Sequence, residues 1–125
     1  MRRNGFSLLE LMMVLLIITV IVQISVPYIA ASKMSSNEAV VEKILSNMSM
    51  ASEQYSAENG IYPISGTQLA VYMEGQQYCG QVMAGFTINC TFGTGDTYFY
   101  EGIPVQYGQT GSRSFSIATG GAWGP

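Results

Sequence analysis

Histidine is absent from this chain, and aspartate occurs once, at Asp96. Without an imidazole, the commonest general base and metal ligand is missing. No nucleophile motif, glycine-rich phosphate loop or cluster with metal-ligand spacing stands in for it, so neither an enzymatic activity nor a cofactor is expected. Charge is sparse as well: it makes up 10% of 125 residues, and no charged residue falls between Glu10 and Lys33. The net charge is −3, and removing Arg2 and Arg3 would leave three basic against eight acidic side chains. A broad nucleic-acid surface needs a basic footprint to neutralise phosphates, so none is expected. Cysteine is limited to Cys79 and Cys90. Behind an export-like N-terminus, such a pair points to one disulfide in an oxidising compartment, worth roughly 3 kcal/mol by the chain-entropy account. The length allows one modest folded unit besides a hydrophobic segment.

What the chain has in abundance is a single apolar run behind Gly5-Phe6-Ser7-Leu8-Leu9-Glu10. From Leu11 to Val22 only Thr19 is not apolar, and Phe6 to Val26 makes 21 residues. At roughly 1.5 Å per residue such a helix is about 31 Å long, enough to cross a hydrocarbon core of about 30 Å. Arg2 and Arg3 ahead of the run retain the N-terminus in the cytoplasm under the positive-inside rule and send the rest outward. Ala30-Ala31-Ser32 imitates a secretory cleavage site. The apolar region is too long for an ordinary signal, however, and Glu10 sits where such a signal is purely apolar. A carboxylate inside a membrane segment costs on the order of 3 kcal/mol, which makes Glu10 a functional residue in search of a partner.

The segment Gly5-Phe6-Ser7-Leu8-Leu9-Glu10-Leu11-Met12 resembles the prepilin signature of type IV pilins and the related pseudopilins. Ser7 stands where Thr is more frequent, and Leu-Leu where Leu-Ile is. The resemblance implies a leader of residues 1–5, cleavage between Gly5 and Phe6 by a prepilin peptidase, and N-methylation of Phe6 by the same enzyme. It implies a single-pass protein of the bacterial inner membrane, held in lipid until an assembly platform adds it to a helical homo-oligomeric filament outside the cell. Physics supplies a motive. The cut creates an ammonium on Phe6 within a turn of Glu10, and opposite charges in a low dielectric attract strongly while each alone is costly. If the amine of an incoming subunit meets Glu10 of its neighbour, the pair gauges register. Pro27 matches a proline common in these pilins. It removes one helical bond and crowds the carbonyl of Gln23, predicting a bend or a melted turn.

Past Pro27 the apolar residues Val41, Ile44, Leu45, Met48, Ala51 and Tyr55 recur at spacings of three and four, an amphipathic helix over residues 30–59. Ser32, Ser35, Ser36, Ser46, Ser49 and Ser52 fall at other positions, and Lys33, Glu38, Glu42, Lys43, Glu53 and Glu58 read as a solvated face. Asn59-Gly60 ends the helix and Pro63 prevents its resumption; Glu58 through Pro63 also resembles the helix exit of many pilins. Residues 60–85 read as a connecting loop, with a short helix near Thr67 to Met73. Residues 86–125 then alternate in the manner of an antiparallel sheet of about four strands. Phe86, Ile88, Cys90 and Phe92 share a face; Thr97 to Glu101, then Ile103, Val105 and Tyr107, then Phe115 and Ile117 continue it. The expected fold is α+β, the amphipathic helix over residues 30–59 covering the sheet, with residues 6–29 as the hydrophobic transmembrane and filament-core part. The Cys79–Cys90 loop resembles the stapled loop of many pilins but closes earlier in the chain.

The aromatics Tyr98, Phe99, Tyr100 and Tyr107 read as core and cross-strand pairs rather than as a stacking surface. The glycosylation-like triplets at Asn47 and Asn89 are too short to carry meaning. The resemblance points to a structural subunit of a type IV pilus serving adhesion, motility or DNA uptake. The alternatives are a minor pilin or a type II secretion pseudopilin. Major pseudopilins place acidic side chains on calcium in the head, where this chain offers Glu74, Asp96 and Glu101.

Overall fold

The computed structural model describes residues 5–124. The chain forms two compact units, Met1–Ser32 and Lys33–Pro125. Helix α1, Leu8–Asn59, contributes to both.

In the first unit the helix is greasy on every side. The large hydrophobics from Leu8 to Ile29 are all exposed. Two short hydroxyls of this stretch are satisfied within it: Thr19 Oγ1 donates to Leu16 O at 2.7 Å and Ser25 Oγ to Ile21 O at 3.0 Å. Apart from Glu10 and Gln23, a helix so composed loses little by facing hydrocarbon, because its backbone bonds are internal and the Thr19 and Ser25 hydroxyls are folded back on the backbone. The segment is long and apolar enough to cross a membrane. The helix runs through Pro27 without a melted turn. Proline removes a single bond, and the flanking turns of a long helix are enough to carry it.

In the second unit α1 is amphipathic. Val41, Leu45 and Met48 are fully buried, with Ile44 and Ala51 nearly so, as the three-and-four spacing predicts. The helix stops at Asn59 because Gly60 adopts the left-handed conformation (φ 80°), returning its N–H to Ser56 O. A short helix α2, Gly66–Val71, follows, its N-terminus capped by Ser65, whose hydroxyl accepts from Gln68 N. It brings Leu69 into the core.

Five strands make one antiparallel sheet in sequential order: β1 Val82–Met83, β2 Phe86–Phe92, β3 Tyr98–Pro104, β4 Phe115–Ala118 and β5 Ala122–Trp123. Phe86, Ile88, Tyr98, Tyr100, Phe115 and Ile117 point from it into the core. The α+β arrangement expected from the sequence is present. The separate strand expected over Ile103, Val105 and Tyr107 is not formed. Instead β3 continues through Gly102 to Pro104, and Val105 and Tyr107 lie exposed on the turn beyond. The inward set is thus Tyr98, Tyr100, Gly102 and Pro104, one register step away from the apolar residues of that stretch.

Glycine at 102 is what permits it. A Cβ there would lie 2.6 Å from Val41 Cγ1, so the strand passes α1 at a distance only glycine allows. Gly111 does the same beneath the ring of Phe86.

Cys79 and Cys90 are joined, tying the segment before β1 to the middle of β2. Removing the link in a Cys79→Ser, Cys90→Ser double variant is expected to cost about 3 kcal/mol. Thermal unfolding of the detergent-solubilised chain reads this directly, and an unchanged midpoint would show that the disulfide carries no stability.

Candidate functional site

Helix α1 begins at Leu8, so Ser7 is its N-cap and Glu10 its third residue. The Ser7 hydroxyl accepts the Glu10 N–H at 3.1 Å, and Leu11 N–H bonds Ser7 O at 3.1 Å. Ser-x-x-Glu before an apolar run is the capping-box pattern, in which the hydroxyl satisfies a backbone donor the helix itself leaves free. Threonine carries the same hydroxyl and can cap position 7 in the same way. The sequence reading treated Ser7 as a minor variant, although the pattern was there to find.

Gly5 and Phe6, the described residues ahead of the cap, are outside the helix. Both are exposed, Phe6 at 82%, and among the described residues beyond its chain neighbours no atom stands within 4 Å of a Cβ built on Gly5. The Gly5–Phe6 peptide is thus unhindered and free of helical hydrogen bonding, as a protease needs its substrate backbone to be. Glu10 is exposed in the first turn, where the helix dipole favours a carboxylate. An ammonium on Phe6 would sit at the end the dipole disfavours, so it gains from a carboxylate partner. Arg2 and Arg3, which carry the orientation argument, lie outside the described residues.

The folded unit holds a second polar arrangement that the sequence reading missed. Ser49 and Ser52, expected away from the buried stripe, are 4% and 0% exposed. Each meets a core tyrosine: Ser49 Oγ lies 2.8 Å from the Tyr98 hydroxyl and Ser52 Oγ 2.6 Å from that of Tyr100. Tyr98 donates to Glu53 Oε1 at 2.8 Å, and Tyr62 donates to Oε2 at 3.0 Å. The Gly120 N–H completes the set on Oε1 at 3.0 Å. Glu53, expected to be solvated, therefore joins α1 to the chain after it, to β3 and to the β4–β5 turn. The signal was legible only jointly: small hydroxyls on a helix face and tyrosines on a strand predict nothing until the register sets them opposite each other.

Glu38 works similarly toward the other end, accepting from Ser112 N at 2.8 Å and Ser112 Oγ at 2.6 Å, bonds that lower its pKa. Glu42 pairs loosely with Arg113 at 3.7 Å. Glu74, Asp96 and Glu101 are not gathered: among the described residues no group of three acidic, Cys or His side chains is placed to hold a metal ion.

Burial pushes the hydroxyls of Tyr98 and Tyr100 up to about 12. The unfolded chain loses these protons near pH 10, so the stability they lend is complete below that value and is lost as pH rises from 10 toward 12. A loss on the order of 2 kcal/mol per tyrosine is expected across that window. Denaturant unfolding at pH 9 to 12 reads it, with Tyr98→Phe and Tyr100→Phe as comparisons. A wild-type curve parallel to that of the phenylalanine variants would contradict the assignment.

These features define a class: an α+β protein whose long N-terminal helix pairs a membrane-length apolar surface with a capped, accessible N-terminal peptide. Residues 1–22 match the family described as the prokaryotic N-terminal methylation motif. The match supports a class III signal of the type IV pilin and pseudopilin kind, and with it processing by a prepilin peptidase and a structural role. The apolar helix and the motif together fit anchoring in a membrane. No curated protein matches the chain.

Proposed function

We propose that this chain is a subunit of a type IV pilus, stored in the bacterial inner membrane with its N-terminus cytoplasmic and drawn from there into a surface filament. The observation that carries the reading is the coincidence, at one end of the chain, of the methylation motif with a helix exposing apolar side chains on all faces. Such a surface is stable only in lipid or against copies of itself, and the motif belongs to proteins that exchange the one for the other. In this reading residues 1–5 are the leader, cut between Gly5 and Phe6. Residues 6–29 form the filament core, residues 30–59 carry the amphipathic helix, and residues 60–85 connect it to the head, residues 86–125.

Glu10 takes the N-methylated amine of a neighbouring Phe6. A misplaced subunit leaves one charge unpaired in the apolar bundle, at a cost of several kcal/mol, and is rejected. Pro27 is a place where the helix yields as subunits pack. The filament serves adhesion, motility or DNA uptake.

A minor pilin and a type II secretion pseudopilin share this N-terminus. Electron microscopy of cells lacking the chain, with a secretion assay alongside, separates the three. Loss of surface fibres with normal secretion supports the main-subunit reading. Normal fibre number with failed secretion overturns it in favour of the pseudopilin, and fibres that persist at lower number favour the minor pilin.

A further inference from the structure

A cleft of about 320 Å³ lies beside the second half of α1, lined by Asn47, Tyr72, Met73, Glu74, Gln76 and Tyr78. We infer that it binds a neutral carbohydrate. The inference concerns the folded unit alone and does not depend on the chain entering a filament.

Hydrogen-bonding supply comes first. Polar side chains around the cleft are paired: Tyr72 donates its hydroxyl proton to Glu58, Asn59 donates to Tyr55 O at 3.0 Å, and Gln77 to Thr67 Oγ1 at 3.4 Å. Inside it, the side chains of Asn47, Glu74, Gln76 and Tyr78 make no hydrogen bond among the described residues. Asn47, Glu74 and Gln76 are exposed and Tyr78 half-buried, so two amides, a carboxylate and a phenol face solvent together and can exchange water for a ligand's donors and acceptors within one small volume. Tyr72 and Tyr78, both half-buried, add aromatic surface, and Met73 apolar surface. A sugar ring presents the complementary pattern, hydroxyls around its rim and C–H groups on its faces, and sites of this kind combine apolar walls with a few placed polar groups.

Charge narrows the class. The lining holds one charged residue, Glu74, and no Lys or Arg, so a phosphate or carboxylate would meet repulsion without a counter-charge. That disfavours nucleotides, phosphosugars and acidic sugars relative to neutral ones.

The walls are held before any ligand arrives. Gly75 N–H bonds Ala70 O at 2.8 Å and Gln76 N–H bonds Met73 O at 3.0 Å, fixing the turn that carries Glu74. Tyr78 immediately precedes Cys79, whose disulfide to Cys90 anchors the loop to β2. Tyr72 is packed edge-on against Tyr55, with ring centroids 5.4 Å apart. The turn backbone and the Tyr72 ring are fixed in advance, whereas the Asn47, Glu74 and Gln76 side chains must be ordered by the ligand, so a site this small and open is expected to hold a sugar only in the millimolar range.

The test is saturation-transfer and chemical-shift NMR on the full chain in a detergent without a sugar headgroup. The probes are glucose, galactose, N-acetylglucosamine and lactose, with N-acetylneuraminic acid as the acidic comparison. At least one neutral probe is expected to bind saturably, shifting resonances of Tyr72 and Tyr78, and at least about tenfold more tightly than the acid. Asn47→Ala and Gln76→Ala, both at exposed positions, are each expected to weaken that binding at least about fivefold with the fold unchanged by circular dichroism. Absence of saturable binding by all four neutral sugars, equal binding of the acid, or full affinity in both variants would overturn the inference.

Discussion

Glu10→Ala is expected to reach the membrane at the wild-type level, to be cleaved, and to enter fibres at least about tenfold less than the parent chain. The substitution removes the single carboxylate of the apolar helix, so insertion becomes easier rather than harder. The proposed processing acts on the peptide at Gly5–Phe6, and Ser7 still caps the helix, since its hydroxyl takes the backbone N–H of residue 10 and not its side chain. What disappears, in the proposed pairing, is the partner for an incoming ammonium. An unpaired ammonium amid apolar helices costs several kcal/mol, and each ~1.4 kcal/mol is tenfold in population. Glu10→Asp keeps the charge on a shorter arm and should recover part of the loss, whereas Glu10→Gln should not. Quantitative immunoblotting of sheared fibres against the membrane pool reads all three. Fibres at parental yield from the alanine variant would remove the register role from Glu10.

Gly102→Val is expected to be the most damaging single change in the folded unit. A Cβ at this position already lies 2.6 Å from Val41 Cγ1, with Ile88 Cδ1 at 3.7 Å and Leu45 Cδ1 at 3.8 Å behind it. Val41 is fully buried on α1 and has nowhere to turn, so the helix and sheet must part. Overpacking of this kind costs about 1–3 kcal/mol for the single carbon of alanine and more for valine. Against a total stability of roughly 5–15 kcal/mol, valine leaves the unit marginal. Gly102→Ala should lower the midpoint by about 5–20 °C, at about 4–8 °C per kcal/mol for a domain this size. Combining it with Val41→Ala should cost less than the sum of the two changes, because each makes room for the other. A Gly102→Ala chain that melts with the parent would mean that the helix and strand are not in contact there.

Much of this was legible in the chain itself. The stripe from Val41 to Ala51 announced both a helix and its buried face, and the alternation of Phe86, Ile88, Cys90 and Phe92 announced β2, because periodicity is a local property. The course of β3 was not legible. Ile103, Val105 and Tyr107 alternate as a strand should, yet the chain uses the opposite phase, and the reason is the close pass of Gly102 against Val41. Contacts of long sequence separation leave no trace in a short window. The two-residue strands β1 and β5 are too short to carry a period at all. Glu53 shows the same limit for polar groups, since its three donors come from Tyr62, Tyr98 and Gly120. At the N-terminus, by contrast, the whole site is contiguous. Gly5, Phe6, Ser7 and Glu10 lie within six residues, and their chemistry is that of one helix start.

Mass spectrometry of the N-terminal peptide, taken from the chain purified from its native cell, bears most directly on the account. Cleavage between Gly5 and Phe6 with N-methylation predicts a peptide beginning at Phe6 and carrying one added methyl group on its amine. A mature chain that begins at Met1, or near Ser32, would contradict it.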